Sequence, residues 1–222
     1  MFSQCNSVLY ELRCVSSFFY TEEYKIPIAI GITENHRVFI SGNMVVRNLL
    51  LIAGTGNKSG KTTLACRVIN DFREKGIMAI KITPHFHETT PGLLLISENK
   101  GYSIFEELDT RSEKDTSRML AAGAKKVFFA KVTDNNLLDA FNEMLTFIPD
   151  GTPLVCESPG LRYFLEPGIF VIMRSEGTYN NKDIKILLRL PHVLIKLDDL
   201  IKMKRLPFSF TGEKWGLNTL FD

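Results

Sequence analysis

Long hydrophobic runs are missing from this chain. No apolar stretch approaches the roughly 20 residues that a membrane-spanning helix needs, so no membrane association is expected. An excess of one charge is missing too. Lys and Arg total 27 against 25 Asp and Glu, a net charge of +2 at pH 7. With no long basic run either, there is no global electrostatic case for nucleic acid. Lys202, Lys204 and Arg205 read as the solvated end of a helix. Cysteine is sparse: Cys5, Cys14, Cys66 and Cys156 are scattered without metal-ligand spacing. Cys66 falls in a helix-like segment and Cys156 in a strand-like one, which suits small core residues in a reducing compartment. The first residues have no positive segment leading into an apolar core, so no signal peptide is evident and a cytoplasmic location is expected.

What is present is a chain of 222 residues with 45% apolar content, enough for one large domain or a domain with a small appendage. Residues 1–43 read as an N-terminal extension. Within it Lys25 to Gly31 and Arg37 to Ser41 are set to form a hairpin, and Met44, directly before the first core strand, is a candidate physiological start. Residues 44–222 read as one α/β domain. Strand-like segments at Leu49 to Ala53, Ile77 to Thr83, Lys126 to Val132, Pro153 to Glu157, Ile169 to Met173 and Val193 to Lys196 alternate with helix-like ones. The helix-like segments are Leu64 to Lys75, a stretch from about Glu113 to Ala122, and Leu137 to Phe147. Such alternation predicts a mostly parallel sheet with helices on both faces. Leu93 to Ser97 and Tyr102 to Glu107 break it as an inserted β-hairpin, a lid, a substrate-reading arm or a passive surface feature beside the site.

The most informative stretch is Gly54-Thr55-Gly56-Asn57-Lys58-Ser59-Gly60-Lys61-Thr62-Thr63. A buried strand precedes it and a helix follows, the context in which a glycine-rich loop binds phosphate. Loop N–H groups and the helix N-terminus form a concave anion site. Lys61 is expected to reach the β- and γ-phosphates and Thr62 to ligate Mg²⁺. The usual G-x-x-x-x-G-K-[ST] spacing puts a glycine at position 55, where this chain has Thr55 between Gly54 and Gly56. A loop lengthened by one residue would account for that. Lys58 is a second loop cation, touching phosphate or solvated. The reading is a P-loop NTPase fold that takes Mg²⁺ with GTP or ATP.

Strand ends supply further candidates, since ligands of parallel sheets lie at their C-terminal ends. Lys81 would put a cation beside phosphate or an anionic substrate. Glu157 stands where a Walker B carboxylate contacts Mg²⁺ or its water. His85 and His87, two residues apart, suit substrate contact or a loop better than a metal site. Asn180-Asn181-Lys182-Asp183 reads as a helix start, not a base-recognition motif.

Lys114-Asp115-Thr116-Ser117-Arg118, continuing to Ala122-Gly123-Ala124, resembles the Lys-Asp-Ser-x-Arg…Ala-Gly-Ala segment of the MobB family. Those are P-loop proteins of molybdopterin guanine dinucleotide biosynthesis. Ala79-Ile80-Lys81-Ile82-Thr83-Pro84-His85-Phe86-His87 is similar to the Lys-His-Thr-His-His that ends the family's second strand. The loop also resembles that of cobyrinate amidases and dethiobiotin synthetases. The resemblance covers roughly residues 45–160. It implies Asp115 as an Mg²⁺ ligand or attacking group, Arg118 as a phosphate or substrate anchor, and a weak GTPase working as a homodimer beside a nucleotidyltransferase partner. The family ends the Glu157 strand in Glu-Gly, whereas here Ser158-Pro159-Gly160 follows. Two other functions fit the residues. One is an ATP-dependent ligase or small-molecule kinase of the dethiobiotin synthetase type. The other is a binding module in which nucleotide orders the hairpin for a protein partner.

Overall fold

The computed structural model describes residues 30–32, 38–40, 44–56, 58–85, 91–175 and 184–218. Asn57, His87, the 180–183 segment, Cys5 and Cys14 lie outside them. In the N-terminal region β1 (Ile30–Ile32) and β2 (Val38–Ile40) pair antiparallel.

The main body is an α/β unit around an eight-stranded sheet. Its strands are β3 (Met44–Gly54), β4 (Met78–Thr83), β5 (Leu93–Asn99), β6 (Tyr102–Glu107), β7 (Lys126–Val132), β8 (Leu154–Glu157), β9 (Leu165–Arg174) and β10 (Val193–Lys196). They lie in the order β10-β9-β3-β8-β4-β7-β6-β5. From β10 to β7 all neighbours are parallel; β6 and β5 are antiparallel additions. The helices are α1 (Lys61–Asp71), α2 (Asp115–Ala121), α3 (Leu137–Thr146), α4 (Ile184–Leu187) and α5 (Leu197–Lys202).

Alternation along β3 sorts the core into two layers. Leu49, Leu51 and Ala53 join Phe141 and Met144 of α3 and Leu187 of α4 on one face. Leu50 and Ile52 join Leu64, Val68 and Ile69 of α1 and Met119 of α2 on the other. Every residue from Leu49 to Ala53 has no exposed surface, as a strand covered on both sides requires. Each of the Leu49, Leu50, Leu51 and Ile52 side chains contributes about 1.5–3 kcal/mol relative to full exposure.

Four elements differ from the sequence expectation. Strand β3 begins at Met44, five residues before Leu49, so Met44 lies within the first core strand and not before it. Helix α1 starts at Lys61 and stops at Phe72; Arg73–Lys75 is a 3₁₀ turn closed by Gly76, whose φ of 69° gives it a left-handed conformation. Strand β9 begins at Leu165, four residues before the apolar run, and carries Pro167. Its pairing with β3 shifts register between Val46 and Leu50, and an ideal Cβ on Gly168 would lie 2.1 Å from the Arg47 carbonyl oxygen. A bulge and a glycine thus admit a proline into a strand. The C-terminal segment forms a hairpin that sequence reading missed, β11 (Phe208–Thr211) and β12 (Lys214–Leu217). Its turn residues Gly212 and Glu213 have φ of 54° and 60°, the signature of a type I′ turn. It brings Trp215 into the α1 layer, where the indole Nε1–H donates to the Leu154 carbonyl at 3.1 Å.

The β5–β6 hairpin forms as expected but is no free arm. It extends the main sheet through β6–β7 pairing, with β8, β4 and β7 between it and β3. Tyr102 and Asn99, at its turn, both donate to Glu143 on α3. Cys156 is fully buried and burial pushes its thiol well up, while Cys66 is half-buried, in keeping with the core role expected of both. Among the described residues, no helix is long and apolar enough to cross a membrane.

Candidate functional site

The site lies at the C-terminal ends of β3, β4 and β8, on the face covered by α1 and α2. β3 ends at Gly54 and α1 begins at Lys61, so residues 55–60 form the connecting loop. An ideal Cβ on Gly54 would lie 2.1 Å from Ser59 Oγ and 2.9 Å from Lys61 Cδ, so only glycine lets the loop fold back over the strand end. Lys58 and Gly60 have φ of 56° and 90°, so both take the left-handed conformation that turns the loop into the helix. The Lys61 ammonium donates to the Gly56 carbonyl at 3.2 Å, lying across the loop.

Thr55, which breaks the usual spacing, has a structural role of its own. Its N–H donates to the Met173 carbonyl at 3.0 Å, and its hydroxyl accepts from the Ser175 N–H at 2.9 Å. The two hydroxyls also meet at 2.9 Å. The residue in place of glycine ties the loop to the end of β9.

Two observations fit this loop to an anion. Among the described residues helix α1 has no side-chain cap and no acidic residue of its own in its first turn, which leaves its first N–H groups available to an anion. Among the described residues Ser59 Oγ is buried without a hydrogen-bond partner, a polar atom that an anion's oxygen could satisfy.

Beside the loop, residues from four elements meet. Thr62, in the first turn of α1, donates from Oγ1 to Glu157 Oε2 at 3.0 Å. The other Glu157 oxygen lies 3.3 Å from the Lys81 ammonium. Lys81 also donates to Asp115, the first residue of α2. Arg118 Nη1 is 3.8 Å from the second Asp115 oxygen. Pairing explains the convergence: Ile52, Glu157 and Lys81 are Cα partners across three adjacent parallel strands. Burial raises the Asp115 pKa and is the largest single influence. The Lys81 hydrogen bond and charge, with Thr62 and Arg118, outweigh it and hold the carboxyl below its ordinary value. Burial pushes the nearby Cys66 thiol up, against the pull of Arg118.

Lys61, Thr62, Lys81, Asp115, Arg118 and Glu157 are therefore brought to one place, with Gly54, Thr55, Gly56, Lys58, Ser59 and Gly60 around it. Thr63 is exposed on the outer side of α1. His85 lies beyond the end of β4, where its N–H donates to Thr83 Oγ1 at 3.2 Å.

Sequence reading missed two supporting residues. Ser175 is one. The other is Glu107, only 2% exposed, which accepts from Thr116 Oγ1 at 2.7 Å and from the Asp109 N–H at 2.9 Å. It anchors the first turn of α2 and so positions Asp115. Glu106, beside it, pairs with Lys126 at the surface; nothing in Phe-Glu-Glu-Leu distinguishes the two acids.

The donor set suits a hard divalent cation. Thr62, Glu157 and Asp115 offer hydroxyl and carboxylate oxygens only. Among the described residues no group of three or more His, Cys, Asp or Glu forms a dedicated cage. Mg²⁺ is typically held by one or two carboxylates, with water and phosphate oxygens completing its shell. No protein-family model, no curated protein and no solved structure matches this chain.

Proposed function

We propose that this chain is a P-loop nucleoside triphosphatase that binds GTP or ATP with Mg²⁺ at the 54–63 loop and hydrolyses it slowly. The observation that carries the reading is the Thr62–Glu157 hydrogen bond. A hydroxyl in the first helical turn after a glycine-rich loop meets a strand-end carboxylate from an adjacent parallel strand, the pair that holds Mg²⁺ in such enzymes. Loop N–H groups and the open N-terminus of α1 receive the phosphates, and Lys61 leaves the Gly56 carbonyl for them. Thr62, Glu157 and Asp115 would hold Mg²⁺, which would supply neutralisation of the phosphate charge. Arg118 anchors an anionic group from the far side. Catalysis here is positioning and charge stabilisation.

Within this class the Lys114–Arg118 segment, with Asp115 and Arg118 both at the site, supports a MobB-like role. That role is a GTP-binding protein accessory to molybdenum cofactor assembly, acting as a homodimer with a nucleotidyltransferase partner. The pairing of Lys81 with Arg118 around Asp115 favours the ligase or kinase reading as the second choice, because two cations suit an anionic co-substrate.

Calorimetric titration of Mg·GTP and Mg·ATP into the wild type and Lys61→Ala tests this. The expected result is binding in the wild type, lost in Lys61→Ala. A GTP preference supports the MobB-like role, an ATP preference the ligase or kinase. No binding of either nucleotide overturns the proposal.

A further inference from the structure

The Lys81 ammonium contacts both carboxylates that the proposed function gives to a divalent cation. It lies between Asp115 and Glu157, while Thr62 holds the other Glu157 oxygen. Each carboxylate therefore already has a counter-ion. Glu157 is only 5% exposed, and an ionised carboxylate buried to that degree needs one at all times. Lys81 is placed to supply it because its Cα pairs with that of Glu157 on the neighbouring strand. A divalent cation and an ammonium cannot share two carboxylates at hydrogen-bond range, since like charges so close repel strongly.

We propose, resting on the nucleotide-binding reading above, that Lys81 is an exchangeable counter-ion. It keeps the carboxylate pair neutralised and closed to divalent cations while the loop is empty. It gives the pair up only when triphosphate oxygens offer its ammonium a new partner. Metal loading is thereby made conditional on nucleotide, and the empty protein does not collect divalent cations. The lysine stem has the freedom to make this exchange; its side chain is 19% exposed, not locked into the core.

The test is titration of Mn²⁺ alone, followed by its electron paramagnetic resonance signal, into the wild type, Lys81→Met and Lys81→Arg in the full chain. Lys81→Met is expected to bind Mn²⁺ roughly tenfold tighter than the wild type, because the competing charge is gone. Lys81→Arg, which keeps the charge, is expected to stay near the wild type. With Mg·nucleotide the order reverses, and Lys81→Met binds more weakly. A variant that had merely lost structure would weaken in both titrations. Mn²⁺ affinity that is unchanged or lower in Lys81→Met overturns the exchange. The Mn²⁺ measurement uses no nucleotide, so absence of nucleotide binding would refute the triphosphatase reading separately.

Discussion

At the same height in the sheet, β3, β4 and β8 present Leu51, Ala53, Ile80, Ile82 and Cys156 to the α3 side, and Ile52, Lys81 and Glu157 to the α1 and α2 side. Neighbours along one strand thus face entirely different surroundings. The α3 side is hydrocarbon up to the strand ends. The α1 side is hydrocarbon lower down, at Leu50, Ala79 and Val155, and becomes ionic at the ends of β4 and β8, at Lys81 and Glu157. Packing and chemistry are separated by the two-residue period of the strand. Substitutions one position apart should therefore report on different properties.

The largest effect expected lies on the hydrocarbon side. Phe141 is fully buried against that layer, and Phe141→Ala should cost about 3–5 kcal/mol of stability. The denaturant midpoint falls, while the folded fraction keeps its nucleotide affinity. Loss of affinity without loss of stability would break the comparison. On the ionic side Glu157→Gln keeps the shape and can still accept from Thr62. It should bind nucleotide yet turn it over about a hundredfold more slowly, the scale of losing one preorganised electrostatic group. Turnover at the wild-type rate would remove Glu157 from the mechanism.

The smallest effect concerns pH. The Asp115 carboxyl sits below its ordinary value when folded. Its contribution to stability is complete above the unfolded carboxylate's value and drains away as pH falls through the depressed folded one. Asp115→Asn should melt slightly below the wild type at neutral pH, and the two melting curves should converge in acid. Parallel curves across the acid range would show that Asp115 is not linked to folding.

Much of this arrangement was legible because it depends on local pattern. The apolar runs bounded by turn residues marked β7 and β10 to the residue. Lys81 and Glu157 stand out in the sequence as charges at the ends of otherwise buried strands. What stayed hidden depends on partners remote in the chain. Pro167 argues against a strand until the bulge opposite it in β3 is known. Glu107 looks like any edge-strand acid until α2 lands on it. Thr55 looked like a defect in a motif, and only the arrival of Ser175 gives its hydroxyl a partner. The β11–β12 hairpin, by contrast, rests on local pattern. Alternation in Phe208-Ser209-Phe210 and the Thr-Gly-Glu-Lys turn were there to be read.

The strand order also sets when the site exists. β3 and its loop are made early, yet both of β3's neighbours in the sheet, β8 and β9, come after every strand from β4 to β7. The Thr62–Glu157 hydrogen bond spans 95 positions and the Thr55–Ser175 contact 120. Contacts so distant in sequence form slowly, because a long loop must close before they return anything. During synthesis the glycine-rich loop emerges long before the carboxylate and the latch that complete it. On the proposed function, a nucleotide would stabilise only a protein whose central sheet has already closed, and would not chaperone the early chain.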